Sequence, residues 1–136
     1  WEKKTPIVLH RAILWAIGRF YAYLIEETKW NFPFWLAPEQ VKIVPVAEPF
    51  IDYANKVCED LRKENIRASV DDGPDSLNKK IRNAELLKIP YILIVWEKEV
   101  GSNWVSVRVF KTKEQYEQNE AEFIKAMVEK RDTKAL

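Results

Sequence analysis

The sequence is poor in the residues that build disulfides, metal sites and phosphate-binding loops. Its 136 residues include one cysteine, one histidine, one methionine and three glycines. A single cysteine, Cys58, excludes an internal disulfide and favours a reducing compartment. Because His10 is the only histidine, a zinc site of the usual ligand spacing is excluded as well. Three glycines are too few for a phosphate-cradling loop, and neither a Walker motif nor a dinucleotide-binding motif is present.

Strong net charge and long apolar runs are also absent. The formal charge is +1 at pH 7, so any contact with nucleic acid must come from a local patch of charge. No apolar run approaches the roughly 20 residues that span a bilayer, and residues 1–4 lead into no signal-peptide core. We therefore expect a cytoplasmic protein without a membrane partner. Because the chain begins without Met, we expect a longer parent.

The composition is that of a folded domain, with 47% hydrophobic and 32% charged residues. Ile7–Leu9 is a short apolar run that could form a strand. Residues 12–29 have the periodicity of an amphipathic, aromatic-rich helix, and two prolines break the linker at 30–40. A self-contained domain is predicted to start near Val41.

The rest of the chain predicts alternating strands and helices. Strands are predicted at 41–46, 66–70, 91–96 and 104–110, and helices at 50–64, 75–88 (with Asp75 as N-cap) and 120–130. The order β-α-β-α-β-β-α implies a three-layer α/β fold. Its mixed, mostly parallel sheet would have helices on both faces and would follow the N-terminal helix. The last two strands should form an antiparallel hairpin at one edge.

The helix between the second and third predicted strands has the most distinctive polar pattern. Lys79, Arg82 and Asn83 share one face, because they are spaced by three and four residues. Lys80 and Lys88 add positive charge nearby. This pattern is typical of an ordinary solvated helix face, but it also suits a surface that contacts RNA phosphates and bases.

Two residues near the last strands complete the candidate site. Arg108 alternates with three valines and should lie on the opposite face of its strand. Glu99 follows the strand at 91–96, at the end where open α/β sheets place ligands. A carboxylate between two arginines suits base recognition, because it accepts from amino groups while guanidinium groups stack or donate. Alternatively, Glu99 forms a salt bridge with Lys98 or Arg108 in the hairpin.

Several runs of residues resemble threonyl-tRNA synthetases. They are His10–Leu14, Phe32–Val41 (Phe-Pro-Phe-Trp-Leu-Ala-Pro-Glu-Gln-Val), Lys79–Ala84, Ile89–Leu93, Glu97–Val100 and Val105–Arg108. The first run resembles the last catalytic motif of a class II synthetase, and the second resembles its junction with the C-terminal anticodon-binding domain. On this resemblance, residues 1–40 are the remnant of the catalytic domain's end and residues 41–136 are the anticodon-binding domain. The implied fold has a mixed sheet of about five strands with about three helices.

The resemblance also implies a function, which is binding the anticodon of threonine tRNA in support of aminoacylation or proofreading. Arg82, Glu99 and Arg108 match family positions that contact the second and third anticodon bases, and Lys79 and Asn83 lie beside them. No cofactor and no catalytic residue are implied for this part of the parent protein.

The sequence departs from the family in two places. Before the basic helix the family usually has Asn and Lys, and here Pro74 and Ser76 stand there. The catalytic motif Gly-Ser, any residue, Glu-Arg is replaced by Trp15 to Arg19, which retains only Arg19 as a remnant of the ATP-binding site. An indole in place of glycine would block close approach of a nucleotide to the backbone. We therefore predict that the parent does not activate amino acid with ATP, as in an archaeal editing-type paralogue, unless Trp15 is a drift or engineered substitution.

Two other functions are compatible with the sequence. The same fold could serve as a protein-interaction or dimerisation module, with Trp15, Phe34 and Trp35 contacting a second copy or a synthetase partner. A small nucleotide-binding enzyme of the α/β class is the third possibility.

Overall fold

The computed structural model of the protein describes residues 3–12 and 16–134, and it describes residues 98–100 by their backbone only. The chain divides into two units, Trp1–Trp30 and Asn31–Leu136.

The first unit contains one helix. Helix α1 runs from Ile17 to Thr28, and none of its residues is buried. Lys29 ends it in the left-handed conformation, with φ of 51°. Residues 3–12 form neither helix nor strand, so the strand considered at Ile7–Leu9 is not present.

The second unit is built around a five-stranded sheet. Its elements are β1 (Val41–Pro45), a 3-10 turn (Glu48–Phe50), α2 (Ile51–Lys63), β2 (Ala68–Val70), α3 (Leu77–Leu86), β3 (Tyr91–Val95), α4 (Glu97–Ser102), β4 (Trp104–Val109), β5 (Gln115–Asn119) and α5 (Glu120–Asp132). The strand order is β2-β1-β3-β4-β5. The first three strands are parallel, whereas β4 and β5 are antiparallel to their neighbours. The predicted α/β fold with a mixed five-stranded sheet is confirmed.

The two faces of the sheet are covered unequally. Side chains of α2 and α5 pack with alternate residues of β1, β3 and β4 in the larger core. On the other face, α3 packs on β1 and β3 through the buried side chains of Val44, Ala84, Ile89, Ile92 and Ile94. Full burial of a Val or Ile side chain contributes about 1.5–3 kcal/mol. Within the described residues, no side chain of β4 or β5 belongs to this smaller core. On the α3 side of the two outer strands, Ser106 is buried and Arg108 is half-buried, whereas Trp104 is exposed.

The connection between β3 and β4 and the far edge of the sheet differ from the sequence prediction. The predicted hairpin connection contains the short helix α4, although β3 and β4 do pair antiparallel. The family resemblance implied about five strands, but the sequence pattern did not locate strand β5. Its residues Gln-Tyr-Glu-Gln-Asn lack alternating apolar positions, and none of them is buried. An edge strand of this kind is specified by its pairing with β4 and gives little periodic signal.

Helix α3 also differs from the prediction in detail. It begins at Leu77 with Ser76 as N-cap residue, and no side chain caps it. The carboxylate of Asp75, predicted as the cap, instead accepts a hydrogen bond from Lys79 Nζ at 2.7 Å. Lys80 was predicted to add surface charge. It is only 6% exposed, and its Nζ donates to the carbonyl oxygen of Asp71 at 2.9 Å.

Residues 31–40 pack within the second unit. The ring of Phe34 is buried and lies edge-on to that of Tyr91, with centroids 5.6 Å apart. Gln40 is fully buried; its Nε2 donates to the Phe34 carbonyl oxygen and its Oε1 accepts from the Arg67 backbone N–H, both at 2.8 Å. Phe34 thus belongs to the core of this unit, whereas Trp35 is half-buried. Trp15 lies outside the described residues.

Candidate nucleic-acid interface

The exposed face of α3 carries three of the predicted site residues. Lys79, Arg82 and Asn83 are all exposed, as their helical spacing predicted. Lys79 is paired with Asp75. Arg82 is exposed, and it forms no hydrogen bond or ion pair with any side chain that the structure describes. Its guanidinium donors are therefore available to a ligand.

Arg108 is positioned by the alternation of β4. Val105 and Val107 are buried in the larger core, so Arg108 emerges on the α3 side of the sheet and is half-buried. Its Nε and Nη2 both donate to Oε1 of Glu85, at 3.1 and 3.0 Å. Glu85 follows Arg82 by one helical turn, and residues spaced in this way are about 5–6 Å apart at Cβ. The structure therefore brings Arg108 against the same helix that presents Arg82.

Glu85 is the member of this arrangement that the sequence analysis missed. Its carboxylate also lies 3.1 Å from Lys113 Nζ, so two cations share it. Burial by itself raises the pKa of Glu85, but the hydrogen bonds and charges of Lys113 and Arg108 outweigh it and hold the pKa below its ordinary value of 4.5. The group is therefore ionised at neutral pH. Its partner Arg108 is 23 residues away, and no local pattern in the sequence indicates a contact at that separation.

Four further positions from the sequence analysis are placed by the structure without a test of their roles. The backbone of Glu99 lies in α4, directly after β3, but its side chain and that of Lys98 lie outside the described residues. Pro74 and Ser76 are exposed immediately before α3. Arg19 is exposed in the first turn of α1, in the other unit of the chain.

The α3-side face of β4 and β5 continues the candidate site. In the register of these strands, Trp104 lies opposite Asn119, Ser106 opposite Glu117, and Arg108 opposite Gln115. Gln115 Nε2 donates to Ser106 Oγ at 3.0 Å. This face thus combines one guanidinium, one carboxylate, several neutral hydrogen-bonding groups and one indole. Such a set suits the edges and faces of bases better than it suits phosphates.

Two other classes of site find no support in the part of the chain that the structure describes. No three His, Cys, Asp or Glu residues are grouped so that they could hold a metal ion. None of the described helices has the length and apolar character that crossing a membrane requires.

Comparison with known proteins identifies the family to which this fold belongs. A family model described as "Anticodon binding domain" matches residues 40–130. The threonine–tRNA ligase of Clostridioides difficile (strain 630) is 49% identical over 107 residues, which are 79% of this chain and 17% of that protein. The threonine–tRNA ligase of Staphylococcus carnosus (strain TM300) is 40% identical over 129 residues, 94% of this chain and 20% of that protein. The chain thus spans about a fifth of the length of these relatives.

A solved structure shows the same fold. The crystal structure of the RNA binding domain of threonyl-tRNA synthetase from Cryptosporidium parvum Iowa II superposes with a TM-score of 0.80 and is 31% identical. The similarity covers 88% of this chain and 30% of that one. Because the family model matches well over half of the residues, including the whole sheet and the helix that bears Arg82, the chain belongs to the family of anticodon binding domains.

Proposed function

We propose that the chain binds the anticodon loop of threonine tRNA as the C-terminal part of a threonyl-tRNA synthetase or of its editing-type paralogue. The family match and the names of the relatives support this function. With this function we expect the protein in the cytoplasm, a site of translation.

The observation that carries the proposal is the placement of two arginines around Glu85. The two hydrogen bonds from Arg108 to Glu85 fix the plane of its guanidinium group, and Arg82 extends from the preceding turn of α3. A planar guanidinium donates along two parallel directions, which matches paired acceptors on a base edge. The bases of an anticodon loop are unpaired, so their edges and faces are accessible to such side chains.

General affinity for RNA and preference for particular bases are expected to come from different residues. Lys79 and Lys113 are exposed on this surface and can neutralise phosphates, which contributes sequence-independent affinity. Arg82, Arg108 and the carboxylate of Glu99 would contact base edges, which gives sequence preference.

The test compares two RNA stem–loops, one with a threonine anticodon and one with the same anticodon bases scrambled. Arg82→Ala and Arg108→Ala should each weaken binding of the threonine loop by about 1–3 kcal/mol, and should change binding of the scrambled loop much less. Lys125→Ala is the matched control, because Lys125 is an exposed cation on α5, over the opposite face of the sheet. Equal losses on both loops would show that the arginines contact only phosphate, and would refute recognition of the anticodon.

Salt dependence separates RNA binding from the alternative of a protein-interaction module. Affinity for the stem–loop should fall steeply as salt rises, because binding releases counterions from the RNA. An interface formed mainly by apolar side chains would be nearly indifferent to salt. A chain that self-associates independently of salt and has no affinity for either stem–loop would favour the interaction module.

The activity of the parent is a separate prediction. The hypothesis of a degenerate catalytic domain depends on Trp15, which lies outside the described residues. If the full-length parent exchanges pyrophosphate into ATP in the presence of threonine, it is a synthetase and that hypothesis is wrong. Absence of exchange together with intact anticodon binding would support the editing-type paralogue.

A further inference from the structure

We infer that Trp104 is a stacking surface for an unpaired nucleobase of the same RNA loop, at a nucleotide next to those contacted by the arginines. This inference rests on the proposed function and assigns a base-binding role to a residue outside the predicted site. Trp104 begins β4 and is 43% exposed.

The position of Trp104 on β4 places it on the same face as Arg108. Alternate residues of a strand share a face, so Trp104, Ser106 and Arg108 all lie on the α3 side, opposite Val105 and Val107 in the larger core. Four residues of an antiparallel strand extend about 13 Å. The indole and the guanidinium are therefore expected to meet different nucleotides of one loop.

The backbone at Trp104 is held in place by neighbouring elements. The hydroxyl group of Tyr53 donates to the Trp104 carbonyl oxygen at 3.3 Å. The backbone N–H of Glu120 donates to the carbonyl oxygen of Asn103 at 2.9 Å. These bonds tie the start of β4 to α2 and to α5, which lie over the other face of the sheet. An aromatic ring on a fixed backbone loses less conformational entropy when a ligand stacks on it.

A second tryptophan lies at the same end of the sheet. The β3–β4 register ends with Ile94 opposite Ser106, and Trp96 directly follows β3, so an extension of this register by two residues would bring Trp96 across from Trp104. Trp96 is also 43% exposed. Directly opposite residues of an antiparallel pair share a face, so the indole of Trp96 is expected to extend the apolar surface beside Trp104.

The surroundings of Trp104 favour a base over a protein as the occupant. Its neighbours on this face are Asn119, directly opposite, and Ser106 and Glu117, two positions along the strands, so the apolar surface of the two indoles is bordered by polar groups. The cores of protein interfaces are more extensive and more apolar. An indole next to neutral donors and acceptors matches the requirements of an unstacked base, which offers a π face and polar edges.

The test uses the 136-residue chain and stem–loops of threonine tRNA in which each loop nucleotide in turn is made abasic. Trp104→Ala should weaken binding of the intact loop by about tenfold or more, because one base–aromatic stack contributes on the order of 1–3 kcal/mol. Trp104→Phe, which keeps a stacking ring, should retain most of the affinity and guards against a general defect in folding. At one abasic position the wild-type and Trp104→Ala chains should bind equally well, which would identify the stacked nucleotide.

The matched control is Tyr116→Ala. Tyr116 is 40% exposed on β5, but it lies opposite Val107 and therefore on the other face of the sheet. Its removal should leave RNA affinity close to that of the wild type.

If the wild-type chain binds the threonine loop and Trp104→Ala binds it equally well, the stacking role is wrong although the proposed function stands. If the penalty of Trp104→Ala is the same at every abasic position, the indole only shapes the sheet, which also overturns the inference. A wild-type chain that does not prefer the threonine loop would overturn the proposed function and this inference together.

Discussion

Replacing Glu85 by glutamine removes one charge from the centre of the candidate interface while keeping the size and shape of the side chain. Glu85 Oε1 accepts hydrogen bonds from Arg108 Nε at 3.1 Å and Nη2 at 3.0 Å, and lies 3.1 Å from Lys113 Nζ. In Glu85→Gln the amide oxygen can still accept, but the two cations lose their shared counter-charge. Asp75→Asn is the matched control, because Asp75 is an acid next to the same helix that pairs only with Lys79 among the described residues.

The expected loss of stability is modest. Hydrogen bonds to a charged group contribute about 1.5–3 kcal/mol when they are well shielded, whereas exposed ion pairs contribute about 0.2–1 kcal/mol. The side chains of Arg108 and Glu85 are 29% and 25% exposed, and that of Lys113 is 50% exposed. We therefore expect Glu85→Gln to lower the free energy of unfolding by about 1 kcal/mol. Asp75→Asn should cost only a few tenths of a kcal/mol, roughly the contribution of an exposed helical pair.

The difference in the free energy of unfolding between wild type and Glu85→Gln should depend on pH, because it depends on the ionisation of Glu85. That pKa is lower in the folded chain than its ordinary value of 4.5. The folded state therefore binds fewer protons at this group, and the stabilisation is fully present above the ordinary pKa. As the pH falls through the lower, folded-state pKa, the carboxylate becomes protonated and the stabilisation is lost. Urea unfolding at pH 7 should separate wild type from Glu85→Gln, and the two should converge at acidic pH.

Glu85→Gln should raise the general affinity for RNA but lower the preference for the threonine anticodon. Removing a negative charge next to Arg108 and Lys113 raises the local positive potential, so affinity for a scrambled loop should increase and its salt dependence should steepen. Arg108 is then no longer held in one orientation, so the preference for the threonine anticodon should fall by about tenfold. This loss lies within the roughly 1–3 kcal/mol that one base contact contributes. If Glu85→Gln has wild-type stability and wild-type preference between loops, Glu85 does not position Arg108.

Three further predictions concern buried polar groups in the second unit. Gln40→Ala should lower the free energy of unfolding by about 1–3 kcal/mol, because the fully buried Gln40 amide bonds both the Arg67 backbone N–H and the Phe34 carbonyl oxygen; an unchanged midpoint in urea would contradict this. Lys80→Met should change stability far more than Lys79→Met, because only Lys80 is buried and bonded to the backbone; equal thermal midpoints would refute it. Cys58 is buried and burial raises the pKa of its thiol, so a thiol reagent should label it at neutral pH only as fast as the chain unfolds.

Much of the fold could be predicted because its central elements have strong periodic patterns. The five apolar residues of β3 are all buried, as expected for a central strand covered on both faces. The valines of β4 predicted which face Arg108 would occupy. In contrast, β5 is a polar edge strand, and its place depends on hydrogen bonds to β4 that no local pattern encodes.

For the candidate site, the exposure of individual side chains was predictable but their contacts were not. The exposure of Arg82 follows from helical spacing alone. The pairing of Arg108 with Glu85 instead depends on how α3 lies over the sheet, which is a tertiary property. Lys80 illustrates the same limit, since a lysine in a basic helix gives no indication that its ammonium group reaches back to a loop carbonyl oxygen. Sequence alone therefore identified the candidate side chains and missed what orients them.

The short helix α4 between β3 and β4 has a consequence for how this family can diversify. Because no tight turn joins these strands, their register is fixed by which side chains enter the core, and a slip of one residue would bury Arg108 in place of valine. Insertions or deletions within residues 97–102 should therefore leave the register between β3 and β4 unchanged. New ligand preferences can arise in this connector, which bears Glu99, while the underlying scaffold stays constant.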